Sequence, residues 1–122
     1  MVDVIMSALI EIAKANELKD GSMKKTKIQG HEILLAKVGG KYYAVDNKCP
    51  HFGADLSEGK LEGTAIVCPR HRSKFDLRDG HVIQWTYWSG IKLNLAKVFR
   101  PPRPLKTHSV KEEGDRILVE IR

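Results

Sequence analysis

Two short clusters, Cys49-Pro50-His51 and Cys68-Pro69-Arg70-His71, constrain this chain more than any other feature. Each joins one thiol to one imidazole, and sixteen residues separate His51 from Cys68. Two mixed knuckles can hold a metal centre whose ends differ, one all thiolate and the other all imidazole. A [2Fe–2S] cluster with two cysteines on one iron and two histidines on the other needs this ligand set. Both cysteines are thereby committed, and none remains for a disulfide. A structural zinc ion can also be held by two Cys and two His. Zinc fingers usually place like ligands together, however, whereas each knuckle here is mixed.

Length and composition fit one soluble domain, residues 1–122, with 42% hydrophobic and 30% charged residues. The first residues, Met1 to Ser7, have no basic leader, and no apolar run approaches the roughly 20 residues of a membrane helix. A cytoplasmic protein with no membrane contact is therefore expected. The net charge of +6 and pI near 9.4 raise the question of nucleic acid. The basic residues are spread along the chain, and no Lys/Arg run is long enough to make a recognition tail. No nucleic-acid partner is expected; an acidic protein reached by electrostatic steering suits the charge better.

The rest of the chain reads as short strands and turns. Val2, Val4, Met6, Ala8, Ile10 and Ile12 alternate as in a strand with one buried face. Asp20-Gly21 and Gln29-Gly30 bracket a basic stretch from Met23 to Ile28. Glu32 to Val38 and Lys41 to Val45 flank Gly39-Gly40, a two-residue hairpin loop whose glycines tolerate positive φ. Thr64 to Val67 runs straight into Cys68, and Ile117, Val119 and Ile121 alternate after Gly114-Asp115. Such spacing predicts an all-β antiparallel sandwich or barrel. All five prolines fall between about residues 46 and 104, a loop-rich region that also holds both knuckles. It reads as a cluster-binding subdomain inserted into a β framework from 1–45 and 105–122.

With these knuckles the chain resembles a Rieske-type ferredoxin, whose pattern is Cys-x-His, a spacer of fifteen to seventeen residues, then Cys-x-x-His. The similarity extends through Tyr43-Ala44-Val45-Asp46, Leu56-Ser57-Glu58-Gly59, Lys74-Phe75-Asp76-Leu77 and Pro102-Arg103-Pro104-Leu105. It implies a Rieske-like fold and one [2Fe–2S] cluster, with Cys49 and Cys68 on one iron and His51 and His71 on the other. Replacing two thiolates by imidazoles removes two negative charges, which raises the potential above that of an all-cysteine cluster. The potential is expected to fall with pH once the histidines of the oxidised cluster ionise.

Around the ligands, Ser73 matches a family serine that can donate a hydrogen bond towards a cluster sulfur; it could equally cap a turn. Phe75 lacks the hydroxyl that a tyrosine supplies in respiratory-type members, and the extra disulfide of that type is missing. Both absences place the chain with low-potential ferredoxins, partly opposed by the cations Arg70 and Arg72. Pro102, in Pro101 to Pro104, is expected to lie against the cluster as a stiff segment that limits water access. Arg72 stands where the family commonly has glycine. The larger departure runs from His81 to Phe99, where simple ferredoxins have a short turn. It holds Trp85, Tyr87 and Trp88, which suit self-association or a partner interface but equally suit packing onto the body. Packing is favoured, since large apolar residues are mostly buried. His31, His81 and His108 read as surface or satisfied residues, and Gly53, Gly59, Gly63 and Gly80 as turns.

The function implied is a soluble one-electron carrier between a flavoprotein or other reductase and a terminal oxygenase or other oxidoreductase, with no catalysis of its own. One alternative is the small subunit of an NAD(P)H-dependent nitrite reductase-like complex. Another, from a different class, is a zinc-stabilised binding module.

Overall fold

The structure, a computed structural model, describes residues 8–50, 53–70, 72–84 and 103–121. The expectations placed on Val2 to Met6, His51, His71, Trp85, Tyr87, Trp88 and Pro102 lie outside the described residues. Eleven strands are described: β1 (Ala8–Lys14), β2 (Ser22–Ile28), β3 (His31–Val38), β4 (Lys41–Asp46), β5 (Lys60–Glu62), β6 (Ala65–Val67), β7 (Lys74–Asp76), β8 (Val82–Gln84), β9 (Thr107–His108), β10 (Val110–Glu113) and β11 (Arg116–Ile121). One 3-10 turn, Leu56–Glu58, precedes β5. The strands form three antiparallel sheets, ordered β1-β11-β10, β2-β3-β4-β9 and β5-β6-β7-β8. The expected all-β antiparallel architecture is what forms.

Strand β3 explains how the sheets stack. Ile33, Leu34, Leu35 and Ala36 are all fully buried, because both faces of the middle sheet are covered. By alternation, Ile33 and Leu35 join Tyr42 and Ala44 of β4 in a core with Ile12, Ile117 and Val119. Leu34 and Ala36 point the other way and join Val45, Ile66, Phe75 and Leu77 in a second core. Each fully buried Leu or Ile side chain contributes about 1.5–3 kcal/mol, so β3 anchors both halves.

Strand β1 departs from simple alternation. Glu11 pairs with Leu118 and Ala13 with Ile117, leaving Ile12 as the extra residue of a bulge. The bulge turns consecutive residues, Ile12 and Ala13, into the core. At the hairpin, Gly39 and Gly40 have φ of 62° and 79°, the left-handed pair that a two-residue loop of this hand requires.

Candidate metal centre

Strand β4 delivers the chain to the first knuckle through Asn47, which is fully buried. Its backbone N–H donates to the Glu32 carbonyl (3.0 Å), and its carbonyl accepts from Leu56 N–H (2.7 Å). Its side-chain amide donates to Glu32 Oε1 (3.1 Å), and Oδ1 accepts from Ser57 N–H (3.0 Å). A buried amide with every group used fixes the base of the loop. Asp55, at the other end of that loop, pairs with Lys25 and Lys48. These ammonium hydrogen bonds, Lys48 first, hold its carboxyl below the usual range.

The two knuckles share one backbone frame. Cys49 N–H donates to the Ala54 carbonyl (2.8 Å), and Cys68 N–H donates to the Ser73 carbonyl (2.8 Å). In each, the residue four places after the cysteine is left-handed: Gly53 has φ of 75° and Arg72 has φ of 58°. The expectation of glycine at position 72 therefore reflects a real backbone need, which Arg72 meets with a side chain attached. Cys49 and Cys68 are each 2% exposed and belong to one apolar cluster with Leu56, Ile66, Phe75, Leu77 and Leu105. Gly53 and Ala54 of the first loop share a cleft with Pro69 and Arg70 of the second.

Two glycines read as turn markers do more than turn the chain. A Cβ on Gly59 would come within 1.9 Å of the Val67 carbonyl oxygen, so the 3-10 turn can press on β6 only because that atom is missing. A Cβ on Gly80 would meet the Leu105 carbonyl oxygen, also at 1.9 Å. The Leu105 N–H donates to the Gly80 carbonyl (2.8 Å), which clasps the chain before β8 to the chain before β9. Beyond the clasp, Gln84 donates to the Arg72 carbonyl (3.4 Å), and Arg103 donates to the Pro50 carbonyl (3.0 Å).

Charged groups nearby are mostly satisfied. Asp76 is 3% exposed; the Arg78 side-chain hydrogen bonds lower its carboxyl below the ordinary range against the opposing effect of burial. The His108 ring meets Asp46 at 2.7 Å with its side chain only 7% exposed, and His81 meets Asp79 at 2.6 Å. His31 is exposed. All three histidines are the surface or satisfied residues the sequence suggests.

The donor chemistry suits an iron–sulfur cluster: two buried thiols on matched loops, each followed in sequence by an imidazole two or three places on. The family model of the Rieske [2Fe-2S] domain matches residues 8–97 of the chain. This chain belongs to the Rieske [2Fe–2S] family. Membership brings one [2Fe–2S] cluster and removes the zinc alternative. The chain is 32% identical over 112 residues to the ferredoxin component of the naphthalene 1,2-dioxygenase system of Pseudomonas aeruginosa, covering 92% of this chain and 94% of that protein. It is 33% identical over 114 residues to the biphenyl 2,3-dioxygenase ferredoxin component of Rhodococcus jostii (strain RHA1), covering 93% and 94%. The solved ferredoxin of carbazole 1,9a-dioxygenase from Nocardioides aromaticivorans IC177 superposes with a TM-score of 0.74 at 26% identity, over 93% of this chain and 97% of that one.

Of the predicted site residues, Cys49, Cys68, Arg70, Arg72, Ser73 and Phe75 lie on or beside the two loops of this Rieske domain. Ser73 and Phe75 are fully buried, whereas Arg70 and Arg72 are exposed. Sequence reasoning missed Asn47 and Arg103. A polar residue directly after a strand was a weak signal for the first; for the second it was its place in the family-like Pro102-Arg103-Pro104-Leu105 segment, although its acceptor lies fifty-three positions away.

Proposed function

We propose that this Rieske protein is a one-electron carrier: it takes an electron from a reductase, by its chemistry a flavoprotein, and passes it to a terminal oxygenase or similar oxidoreductase. It does not itself catalyse a reaction. The observation that carries this reading is the pair of matched knuckles with buried thiols, in a chain similar to ferredoxin components of dioxygenase systems over more than nine-tenths of its length. We assign Cys49 and Cys68 to one iron and His51 and His71 to the other, within a cluster-binding subdomain spanning about 46–104. When bound, such a cluster takes up and returns one electron, at potentials of about −150 to +300 mV.

The chain's own residues shape that exchange. The apolar cluster around Cys49 and Cys68 keeps water from the thiolate end, while Asn47 and the Arg103–Pro50 bond hold the first loop in register. A Ser73 hydroxyl that donates to a cluster sulfur would stabilise the reduced state, so Ser73→Ala is expected to lower the midpoint potential by about 1 kcal/mol, or ~40 mV for one electron. Among the described residues no helix is long and apolar enough to cross a membrane, and we place the protein in the cytoplasm.

The deciding test is EPR spectroscopy of the dithionite-reduced protein with iron and sulfide assays on the same sample. The rhombic signal of an imidazole-ligated cluster, with two irons and two sulfides per chain, is expected. Its loss in Cys68→Ala and its shift to the signal of a three-thiolate, one-imidazole cluster of lower potential in His71→Cys would support the ligand assignment. A colourless, EPR-silent protein with one zinc would sink the carrier reading.

A further inference from the structure

The net charge is less diffuse than the spacing of lysines suggests. From Gly80 to Lys111 the chain has six basic residues, Lys92, Lys97, Arg100, Arg103, Lys106 and Lys111, and no aspartate or glutamate. The other 15 basic residues are equalled by the 15 acidic ones. The whole excess of +6 thus belongs to one stretch.

Both described stems of that stretch sit on the ligand loops. On the outgoing side, Gln84 meets the Arg72 carbonyl on the second loop; on the return, Arg103 meets the Pro50 carbonyl on the first. Arg70, Arg72 and Arg103 are all exposed there. Nearby carboxylates are already engaged: Asp55 by Lys25 and Lys48, and Glu62 by Lys60 and Lys74. Glu58, exposed at the rim of the cleft shared with Arg70, is the opposing charge, and one carboxylate does not balance the guanidinium groups of Arg70 and Arg103. Charges more than about 8 Å apart in solvent are screened at physiological salt. The cations on the ligand loops therefore set the field that an approaching molecule meets, and the planar fork of arginine matches a carboxylate.

We propose that the ligand-loop end, through Arg70 and Arg103, is a docking surface for a carboxylate-rich face of a redox-partner protein. This rests on the electron-carrier reading. The test uses the reduced holoprotein, oxidised by hexacyanoferrate(III) in stopped flow, with poly-L-glutamate as the competing acidic polypeptide. At low ionic strength the polymer is expected to slow the wild-type reaction about tenfold. The slowing disappears in Arg70→Glu/Arg103→Glu and is about halved in the neutral Arg70→Gln, which keeps the Arg103–Pro50 bond and so guards against misfolding of the reversed pair. It persists in Lys19→Glu/Lys41→Glu, which carries the same net charge. Those lysines flank the β3–β4 turn, where Gly40 N–H donates to Asp20, at the opposite end of β4 from the knuckle. Equal loss of slowing in both charge-reversed pairs, or in neither, overturns the proposal. So does slowing of the wild type by a short mixed-sequence DNA duplex but not by poly-L-glutamate, which assigns the surface to nucleic acid. An EPR-silent sample, by contrast, strikes down the carrier reading itself, and this proposal with it.

Discussion

At the scale of single residues, Arg72 shows a side chain tolerated where the backbone asks for none. Its φ of 58° costs about 1–2 kcal/mol for a residue with a Cβ. Arg72→Gly relieves that strain but adds freedom to the unfolded chain. The net expectation is a gain of about 0.5–1 kcal/mol, read from the urea midpoint. Arg72→Val, β-branched and excluded from this region, is expected to lower the midpoint and reduce bound iron. The sequence marks Arg72 only as a departure from the family's glycine; its left-handed φ belongs to the loop that the Cys68–Ser73 hydrogen bond closes, which residue type alone does not reveal. Asp76 supports a pH prediction. Its carboxyl titrates below its ordinary value of 3.8 because Arg78 donates to it. A depressed native pKa means the stabilisation is present above the unfolded value and lost as pH falls through the native one. Asp76→Asn is expected to cost about 1.5–3 kcal/mol at neutral pH, with little further loss below about pH 4. Urea titrations at pH 7 and pH 3 check both halves, and equal destabilisation at the two would refute the linkage.

At the scale of elements, legibility followed length. The β3–β4 hairpin was readable because two apolar-rich runs flank a Gly-Gly loop that has one compatible geometry. The structure extends it only by His31 and Asp46. Strands β5, β7 and β8 have three residues each, too few for a period-two pattern to emerge. They exist because the ladder with their neighbours and the core around Phe75 impose them. The bulge in β1 was hidden for a related reason: Ala13, small and next to Ile12, carries no hydrophobic signal of its own. Asn47 joins two elements, β3 and the 3-10 turn, and so offers the sharpest test at this scale. Asn47→Ala leaves the Ser57 N–H without its acceptor and takes one of two side-chain partners from Glu32, which keeps Lys48. It is expected to destabilise the protein by about 1–3 kcal/mol and to speed iron release to a chelator. Unchanged release kinetics alongside that loss of stability would show that Asn47 supports the sheet and not the loop.

Across the whole molecule, the two cores divide the labour. One contains no cysteine and is built from β1 to β4 and β11; the other includes both thiols and draws on β6, β7 and the loops. Binding energy for a metal centre is folding energy for whatever the ligands belong to. Removal of iron by a chelator under reducing conditions is therefore expected to be felt unevenly. In hydrogen exchange, amides of Ile66, Val67 and Phe75 should lose protection first, while those of Leu118 and Val119 keep theirs. Uniform loss of protection across both groups would instead indicate one cooperative unit. The sequence reading divided the chain at about 46 and 104; that both cores draw on β3 and β4 could not be read from it. Ligand spacing is a local property, whereas a core shared through two faces of β3 is settled only when the chain is closed.

The Gly80–Leu105 clasp has a consequence of a different kind. Where a hydrogen bond and a missing Cβ pinch two distant points together, the residues between them can change in number without altering the span the framework must bridge. Such a pinch is a natural graft site. A lineage could lengthen, shorten or exchange the stretch after it, and with it the partner it recognises, while leaving the sheets untouched. A short turn in place of the residues between Gln84 and Arg103 is then expected to give a folded protein that still binds two irons, read from its urea midpoint and iron content.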